Sequence, residues 1–482
     1  MQKNISLSKL LFGILIIFSI TVRFYKFDNP IADWHSWRQA DTSSVSRNLL
    51  INKFDLLHPR FDDISNVPSG MDNPEGYRFV EFPIYNLFQA GLFMLIGIFT
   101  IEEWGRLVSI FSSSMSLIFI YYLVKKYIND RAGLFAGFFF AFIPFNIYYS
   151  RAVLPDPSMV MTTLGGIFFF DRWLENNQKI SIFNINFLFS IIFITFALLL
   201  KPYSVFFLLP MIYLAFVRFK FMMMLKWQFW LFIILTLMPI IFWRIWMLQY
   251  PEGIPSNMWL FNAGNIRFKG SFFYWIFAER IGKLILGYWG ISLLILGIIR
   301  RIEGNKSNFF HMFIVSSLLY LIVLARGNVQ HDYYQILIMP TICIFLGIGS
   351  DLLLSLQNIY FYRRIGIFIF IIVSSFMLSF GWYYIRDFFS INNNSIVIAG
   401  KVVDKMIPKN AKVLAEYKGD TTFLYLTKRK GWASFEKPLP EMIKMGADYF
   451  ILPNPSIKDF DIGKIYPIIS SSKDYIIFKL KK

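Results

Sequence analysis

Runs of about twenty apolar residues recur along this chain, and they constrain its fold more than any other feature of the sequence. Of the 482 residues, 56% are hydrophobic and only 16% are charged. The mean hydropathy of +0.52 agrees with this pattern. A water-soluble domain cannot bury that much apolar surface, so the sequence predicts a mostly α-helical polytopic membrane protein.

Eleven apolar segments are candidates for membrane-spanning helices. They lie at roughly 8–24, 107–124, 133–150, 157–174, 181–199, 203–217, 228–247, 279–299, 308–325, 334–354 and 365–385. We interpret the first as an uncleaved span, because no small-residue cleavage motif follows it. A further apolar stretch, 83–100, would reverse the orientation of every later loop if it crossed the membrane. We therefore interpret it as a juxtamembrane or re-entrant helix on the external face.

Basic residues set the orientation of these spans, because loops rich in Lys and Arg stay in the cytoplasm. With the N-terminus inside, the loops predicted to be cytoplasmic carry eleven basic residues against the two acids Asp130 and Glu303. The basic residues are Lys125, Lys126, Arg131, Arg218, Lys220, Lys226, Arg300, Arg301, Lys306, Arg363 and Arg364. The external stretch 25–106 instead holds eleven acids against seven basic residues. The net charge of +18 therefore reflects membrane topology, and we expect no nucleic acid partner.

The composition changes at about residue 387, where a polar linker with Asn392–Asn394 follows the last apolar segment. The remainder predicts a small α/β domain on the external side. Its expected helices lie near 396–407, 420–428 and 439–445, and its expected strands at 411–417, 448–452 and 475–480. The chain thus divides into a transmembrane domain, 1–386, and a domain at 387–482. We interpret the latter as a structural cap or a platform on which an acceptor docks.

Two absences narrow the function classes. The single cysteine, Cys343, lies inside an apolar segment, so intrachain disulfides and cysteine-based metal sites are excluded. No glycine-rich loop of the kind that cradles nucleotide phosphates occurs in the sequence. These features argue against an ATP-driven machine.

With this topology the unusual polar residues gather on the external side, where ionisable groups at a membrane edge usually mark a site. The run Asp33–Asp41 is the densest such segment. The candidate site residues are Asp33, His35, Arg38, Gln39, Asp41, His58, Arg60, Glu81, Arg151, Asp156, Lys201, His331, Asp332, Tyr333, Tyr334 and Gln335. Arg and Lys suit a phosphate, whereas carboxylates suit a general base or a hard divalent metal. A phosphate joined to a long lipid is a natural ligand for such a cleft.

Simpler roles stay open for several of these residues. Acids near the start of a helix are suited to cap it, and basic or aromatic residues at a membrane edge are suited to the headgroup region. The residues concerned are Asp41, Asp33, Glu81 and Asp156 as caps, Arg38 and Lys201 as headgroup anchors, and Tyr333 and Tyr334 as belt aromatics.

The order of these motifs resembles the GT-C superfamily of membrane glycosyltransferases, of the family 39 type. That group includes the protein O-mannosyltransferases, the lipid A aminoarabinose transferase and the RgtA/B/C/D-like enzymes. The resemblance covers about residues 8–355. It rests on Trp-Arg-Gln-Ala-Asp at 37–41, Glu-Phe-Pro at 81–83, Tyr-Tyr-Ser-Arg at 148–151 before Leu-Pro-Asp-Pro, and His-Asp-Tyr-Tyr-Gln at 331–335.

The resemblance implies an enzyme that transfers a sugar, with inversion, from a polyprenyl-phosphate-linked donor to an acceptor hydroxyl. The acceptor would be a lipid, glycan or protein, as in cell-envelope glycan, lipid A or lipopolysaccharide, or protein glycosylation. The active site would face the periplasm or exterior from the inner (plasma) membrane. An acid of the first external loop would serve as base, and we assign that role to Asp33. Asp41 is the competing assignment, and His35 lies between them without an assigned step.

The resemblance also implies roles for other residues. Arg38 falls where the family places a phosphate-binding arginine, and Tyr333 and Tyr334 fall where it places donor contacts. Glu81 and Asp156 match acidic positions that hold a divalent metal (Mg, Mn or Zn) in some members. The residues expected to contact or support the substrate are Gln39, His58, His331, Asp332 and Gln335.

Two departures from the aminoarabinose-transferase pattern affect these assignments. That pattern has an Asp-Glu pair where this chain has His35 and Ser36. It also has a lysine where this chain has Phe82. We expect one of three cations to supply the missing charge. They are Lys201, Arg60 and Arg151.

Two other functions stay open: a ligase or polymerase that uses a polyprenyl diphosphate donor, and a lipid-sugar flippase or transporter. A transporter needs ionisable residues deep within its spans and internal symmetry. The spans of this chain are nearly free of charge at mid-membrane, which favours the transferase. The ligase differs from the transferase in the chemistry of its donor. The sequence distinguishes these two functions poorly.

Overall fold

The structure is a computed structural model that describes residues 7–175, 180–304, 308–355 and 360–481, and it is mostly helical with one small sheet. The α-helices are α1 (Leu7–Val22), α2 (Ser36–Ile51), α3 (Ile84–Ile96), α4 (Ile101–Tyr127), α5 (Asp130–Phe142), α6 (Pro144–Tyr149), α7 (Asp156–Glu175), α8 (Ile185–Leu200), α9 (Leu209–Phe219), α10 (Trp227–Met247), α11 (Trp259–Asn262), α12 (Gly270–Phe273), α13 (Ile291–Ile299), α14 (Phe309–Val323), α15 (Ala325–Gln330), α16 (Met339–Leu354), α17 (Tyr360–Ile385), α18 (Asn394–Met406), α19 (Thr421–Thr427) and α20 (Leu439–Lys444).

The strands are β1 (Val413–Ala415), β2 (Gly431–Trp432), β3 (Tyr449–Pro453), β4 (Ile468–Ser471) and β5 (Tyr475–Lys479). Shorter 3₁₀ segments are Pro202–Leu208, Lys220–Leu225, Pro251–Gly253, Ala263–Phe268, Asp332–Ile338, Arg386–Phe389 and Ile457–Lys464, and a π-helix spans Tyr274–Ile285. The predicted class, mostly α with a small C-terminal sheet, is confirmed.

Helical structure occupies all eleven apolar segments, but two of them are divided. The segment 133–150 breaks before Pro144, because proline has no N–H to continue the preceding helix. The segment 279–299 is shared between the π-helix and α13. Among the described residues, five helical stretches are long and apolar enough to cross a membrane: Ile101–Tyr127, Pro202–Leu225, Trp227–Met247, Asp332–Leu354 and Arg364–Met406. The count of eleven spans is not confirmed, because several apolar helices are shorter than a membrane requires.

The helix α16 lies at the centre of the bundle and packs closely against α13. An added Cβ at Gly297 would lie 1.9 Å from the carbonyl oxygen of Phe345. An added Cβ at Gly349 would lie 2.0 Å from the carbonyl oxygen of Leu293. The two backbones therefore touch directly, as small residues allow between apolar helices.

Basic residues predicted to face the cytoplasm meet at the end of α16 remote from Asp332. Arg300 Nη1 lies 2.6 Å from Asp351 Oδ2, and Arg131 pairs with the other oxygen of that carboxylate. Lys126 pairs with Asp171 at the ends of α4 and α7. Their neighbours Lys306 and the side chain of Arg363 lie outside the described residues.

The C-terminal sheet has the order β2-β1-β3-β5-β4, with the first three strands parallel and the last two antiparallel. All six predicted elements are present, whereas the short strands β2 and β4 were not predicted. The sheet contacts the segment between α2 and α3. Gly431 N donates to Asp62 O at 3.0 Å, and Gly431 O accepts from Ile64 N at 2.9 Å.

The close contact of α13 with α16 predicts that Gly297→Ala destabilises the protein. The new methyl group would force the helices apart, at a cost of about 1–3 kcal/mol. Thermal unfolding in detergent should show a lower midpoint than for the wild-type protein. Gly13→Ala is the control, since nothing lies within 4 Å of its added Cβ. Equal midpoints for Gly297→Ala and the wild type would contradict the packing.

Candidate active site

A cavity of about 460 Å³ lies where the start of α2, the ends of α8 and α10 and the start of Asp332–Ile338 meet. Its lining residues are Trp37, Arg38, Arg78, Phe79, Val80, Lys201, Pro202, Tyr203, Val205, Phe206, Arg244, Ile254, Pro255, Ser256, Asn257, Trp259, Leu260, Phe261, Val323, Leu324, Tyr333 and Tyr334. Four of these side chains are cations, and none is a carboxylate. The cavity wall therefore favours an anion.

Glu81 lies behind the wall and holds two of the four cations. Arg38 Nη2 lies 2.5 Å from Glu81 Oε1, and Lys201 Nζ lies 3.9 Å from Oε2. Burial alone would raise the pKa of Glu81, but Arg38 and then Lys201 outweigh it and lower the pKa. Glu81 is therefore held ionised. Pro202 after Lys201 ends α8 and so places the lysine at the cavity edge.

A second ion pair holds the third cation. Arg78 Nη2 lies 2.7 Å from Asp41 Oδ2, and both side chains are largely buried. The other oxygen of Asp41 accepts a hydrogen bond from Thr421 Oγ1 at 2.7 Å. Asp41 lies inside α2 and not at its start, so the proposed role of a helix cap is not observed.

The fourth cation, Arg244, has no carboxylate within ion-pair distance among the described residues. Its guanidinium contacts only Met247 Sδ, at 3.7 Å. A second, apolar cavity of about 430 Å³ begins at Arg244 and follows the outer face of α10. It is lined by Ile240, Ile241, Arg244, Ile245, Met247, Leu248, Ile254 and Asn257. Arg244, Ile254 and Asn257 line both, so the cationic cavity and this apolar groove adjoin.

Asp33, the predicted base, is enclosed behind α2 and does not line the cavity. Arg151 Nη2 lies 3.0 Å from its Oδ2, and Gln39 Nε2 donates to its Oδ1 at 2.7 Å. Each side chain of the Asp33–Arg151 pair is only 1% exposed. Gln39 also accepts from Val153 N at 3.1 Å, so the three side chains form one buried network. A catalytic role for Asp33 stays a prediction.

His35 forms a pair with Asp332 across 297 residues of sequence. Its Nε2 lies 2.6 Å from Asp332 Oδ1, and no described residue hydrogen-bonds its Nδ1. Asp332 also accepts from Trp34 Nε1 at 3.1 Å and from the Tyr149 hydroxyl. His35 begins α2 with φ of 51°, a left-handed conformation that most residues avoid. Its side chain is 13% exposed.

Aromatic side chains lie between α2 and the cavity beside His35, which does not itself line the cavity. The ring of His331 stacks on Tyr333 at 5.5 Å and lies 5.6 Å from the ring of Trp37. Tyr333 and Tyr334 line the cavity. Burial, together with the neighbouring His35, lowers the pKa of His331 to about 4. His331 is therefore neutral at physiological pH and contributes as a ring.

Of the sixteen candidate residues, four line the cavity, namely Arg38, Lys201, Tyr333 and Tyr334, and the predicted substrate contacts of the others stay predictions. Arg60 pairs with Glu75 at 3.2 Å, and Arg151 pairs with Asp33 as described. Of the three cations that could replace the missing lysine, only Lys201 lines the cavity. His58 hydrogen-bonds Asp55 and Tyr250, at 2.8 and 3.1 Å. Gln335 donates to Asn328 Oδ1 at 2.9 Å.

The two acids considered as metal ligands lie beside cations. Asp156 begins α7, and its Oδ1 accepts from the Tyr203 hydroxyl at 3.4 Å. Glu81 is already occupied by Arg38 and Lys201. No group of three or more His, Cys, Asp or Glu side chains within the described ranges is arranged for a metal ion. Arg38 and Lys201 already neutralise Glu81, so this carboxylate is poorly suited to bind a divalent cation as well.

Arg78, Arg244 and the segment 254–261 line the cavity but were not predicted from the sequence. Arg244 had a usable signal, because an arginine inside an apolar helix is by default a functional candidate. Arg78 lies three residues before Glu81, between α2 and α3. The segment 254–261 has no periodic pattern and carried no signal.

Comparison with known proteins shows that the fold of this chain is similar to that of solved membrane glycosyltransferases. The family model for dolichyl-phosphate-mannose-protein mannosyltransferase matches residues 80–246. No curated protein sequence matches the chain. The resemblance inferred from the motifs is confirmed as a GT-C superfamily fold.

Three solved structures illustrate this similarity. ArnT from Cupriavidus metallidurans bound to undecaprenyl phosphate superposes with a TM-score of 0.63 and 12% identity, over 97% of this chain and 98% of that one. The oligosaccharyltransferase of Archaeoglobus fulgidus gives a TM-score of 0.60 and 10% identity, over 96% and 71%. The arabinofuranosyltransferase AftD from mycobacteria gives 0.57 and 10%, over 99% and 42%. At such identities the likeness shows a shared fold.

The buried pair of Asp33 and Arg151 predicts that Asp33→Asn lowers stability. The substitution strands the buried Arg151 charge, which costs about 3–5 kcal/mol. Thermal unfolding in detergent should show a clear drop in midpoint. A second substitution, Arg151→Met, should recover part of it, because the stranded charge is gone. Asp55→Asn is the control, since that carboxylate is 42% exposed. A wild-type midpoint for Asp33→Asn would refute this account of the pair.

Proposed function

We propose that this protein, which has the GT-C fold, is a membrane glycosyltransferase that moves a sugar from a polyprenyl-phosphate-linked donor to an acceptor hydroxyl. The observation that carries this proposal is that a four-cation cavity adjoins an apolar groove on α10. A phosphate ester of a long isoprenoid alcohol matches both parts. Undecaprenyl phosphate, which is bound in the solved ArnT structure, belongs to this chemical class.

The donor phosphate binds among the four cations. Two carboxylates, Glu81 and Asp41, pair directly with three of these cations, so positive charge is left over for the ligand. A guanidinium group can bind two phosphate oxygens at once, which fixes the orientation of the phosphate and also compensates its charge. The same groups stabilise the charge that the leaving lipid phosphate gains when its bond to the sugar breaks.

The isoprenoid chain lies along the groove of α10. Ile241, Ile245 and Leu248 are exposed there, facing the side where acyl chains would lie. Arg244 marks the point at which the groove reaches the cavity. A lipid bound this way keeps its tail in an apolar environment while the phosphate reaches the polar site.

The sugar occupies the aromatic part of the cavity. Trp37, Trp259 and Tyr333 line that part, together with the polar side chains of Ser256 and Asn257. Apolar faces with a few placed polar groups are the usual lining of a small-molecule site. The identity of the sugar depends on contacts that these residues make with its hydroxyl groups.

We assign the general base to His35. None of Asp33, His35 and Asp41 lines the cavity, but the ring of His35 lies 5.3 Å from that of Tyr333, which does. Asp33 and Asp41 have both carboxylate oxygens bonded, whereas His35 has an unbonded Nδ1 and is partly exposed. Asp332 fixes the ring by accepting from Nε2, which leaves the lone pair on Nδ1. Nδ1 takes the proton of the acceptor hydroxyl, and the acceptor oxygen bonds to the anomeric carbon. The bond from that carbon to the phosphate oxygen breaks with inversion, and polyprenyl phosphate leaves.

The cavity faces the periplasm or exterior in this proposal. The basic residues at the far end of α16, among them Arg131 and Arg300, then lie in the cytoplasm, as the positive-inside rule requires. The acceptor is an envelope lipid, glycan or protein that approaches from outside. The enzyme resides in the inner (plasma) membrane.

Removing a cavity cation should weaken binding of the lipid phosphate. Lys201→Met and Arg244→Met each remove one charged contact, which corresponds to an affinity loss of about 10-fold or more. Binding of undecaprenyl phosphate to the purified protein in detergent, measured by thermophoresis, tests this. Arg60→Met is the matched control, because Arg60 pairs with Glu75 away from the cavity. Unchanged affinity in both cavity variants would rule out the phosphate site.

His35→Asn should reduce sugar transfer by about 10²–10⁴-fold and leave lipid phosphate binding unchanged, because the proton acceptor is lost. Asparagine tolerates the left-handed backbone of residue 35, so the fold should be preserved. Release of polyprenyl phosphate from a radiolabelled donor measures transfer, and His58→Asn is the control. If His35→Asn were fully active and a folded Asp33→Asn/Arg151→Met variant were inactive, the assignment to His35 would be wrong and Asp33 would be the base.

A further inference from the structure

The C-terminal domain reaches the cavity through one hydrogen bond from α19. Thr421 Oγ1 donates to Asp41 Oδ1 at 2.7 Å and lies 3.3 Å from the carbonyl oxygen of Trp37. The other oxygen of Asp41 holds Arg78, 2.7 Å away. Arg78 lines the cavity and Thr421 does not. A chain of three side chains therefore joins the C-terminal domain to a cavity cation.

Each oxygen of the Asp41 carboxylate has one partner, and the group is buried. Asp41 is 3% exposed, so water does not replace a partner that is removed. Thr421 bonds Oδ1, and Oδ2 is the oxygen that pairs with Arg78. The orientation of the carboxylate, and with it the position of the Arg78 guanidinium, depends on the Thr421 hydroxyl.

We infer that Thr421 is a positioning residue for the donor site, and that the C-terminal domain is a working part of that site. The hydroxyl of Thr421 orients Asp41, and Asp41 orients Arg78 toward the bound anion. This inference rests on the proposed function in one respect, that the anion facing Arg78 is a lipid phosphate. The orientation of Arg78 itself does not depend on that assignment.

Other contacts attach the C-terminal domain without reaching the cavity. Thr422 Oγ1 donates to Ser36 Oγ at 2.9 Å, beside Thr421 on the same helix. Asn66 N donates to Glu436 at 2.7 Å, and Gly431 bonds to the segment between α2 and α3 through its backbone. Loss of the Thr421 hydroxyl should therefore leave the domain attached. Thr422→Val is a matched control, since it removes an interface hydroxyl that does not contact Asp41.

The first experiment measures how fast Arg78 is chemically modified in the absence of any ligand. The full-length protein in detergent is treated with phenylglyoxal, which modifies arginine, and the rate at Arg78 is followed by peptide mass spectrometry. Arg78 in the wild type should react slowly because Asp41 holds it. Thr421→Val should raise the rate about 3-fold or more, as expected for one lost hydrogen bond. Thr421→Ser and Thr422→Val should match the wild type, and the half-exposed Arg386 gives the internal reference.

The second experiment measures the affinity of the same variants for undecaprenyl phosphate. Thr421→Val should bind about 3- to 10-fold more weakly, again from one lost hydrogen bond, and Thr421→Ser should restore binding. The KM for the donor should rise while kcat changes little, because His35 is untouched. A general loss of folding would instead lower kcat and would not be rescued by serine alone.

The two experiments separate the inference from the proposed function. Equal phenylglyoxal rates at Arg78 in Thr421→Val and the wild type would overturn the inference. Faster modification in Thr421→Val alone supports it, even if the wild-type protein binds no undecaprenyl phosphate. A failure of the wild-type protein to bind undecaprenyl phosphate would contradict the lipid phosphate as ligand. It would not contradict the coupling of Thr421 to Arg78.

Discussion

The site depends on the compensation of charge at Glu81. Arg38 and Lys201 come from α2 and from the end of α8, and a single buried carboxylate brings them to one wall. Without Glu81, two cations would lie side by side in a poorly solvated cavity, which is unfavourable. With it, they are held close enough to act on one phosphate. The carboxylates therefore neutralise only part of the positive charge at the site, and a bound anion would neutralise the rest.

The sequence run Asp33–Asp41 supplies three separate structures. Asp33 ties α2 to the 148–154 segment through Arg151. His35 joins the start of α2 to Asp332, which lies 297 residues later in the chain. Arg38 is itself a cavity cation, and Asp41 joins another of them, Arg78, to Thr421 of the C-terminal domain. The run Asp33–Asp41 thus connects the helical domain, the cavity and the sheet domain, which explains why so many ionisable residues are concentrated there.

Local patterns allowed the helices, the mixed C-terminal domain and the clustering of polar residues to be predicted. Apolar period and segment length decide where helices form, and these are visible in any short window of sequence. Pairings across long separations were beyond reach, since nothing near His35 points to Asp332 and nothing near Asp41 points to Thr421. Asp33 was assigned as base because it is an acid in the right loop; its enclosure by Arg151 depends on a residue 118 positions away.

The central claim is that a lipid phosphate binds with its head among four cations and its tail along α10. A cryo-electron microscopy structure of the full-length protein with undecaprenyl phosphate tests it most directly. The account predicts phosphate density within hydrogen-bond distance of Arg38 and Lys201. Elongated density should continue past Arg244 along Ile241 and Ile245. Lipid phosphate density elsewhere on the protein, with the cavity filled only by solvent, would contradict it.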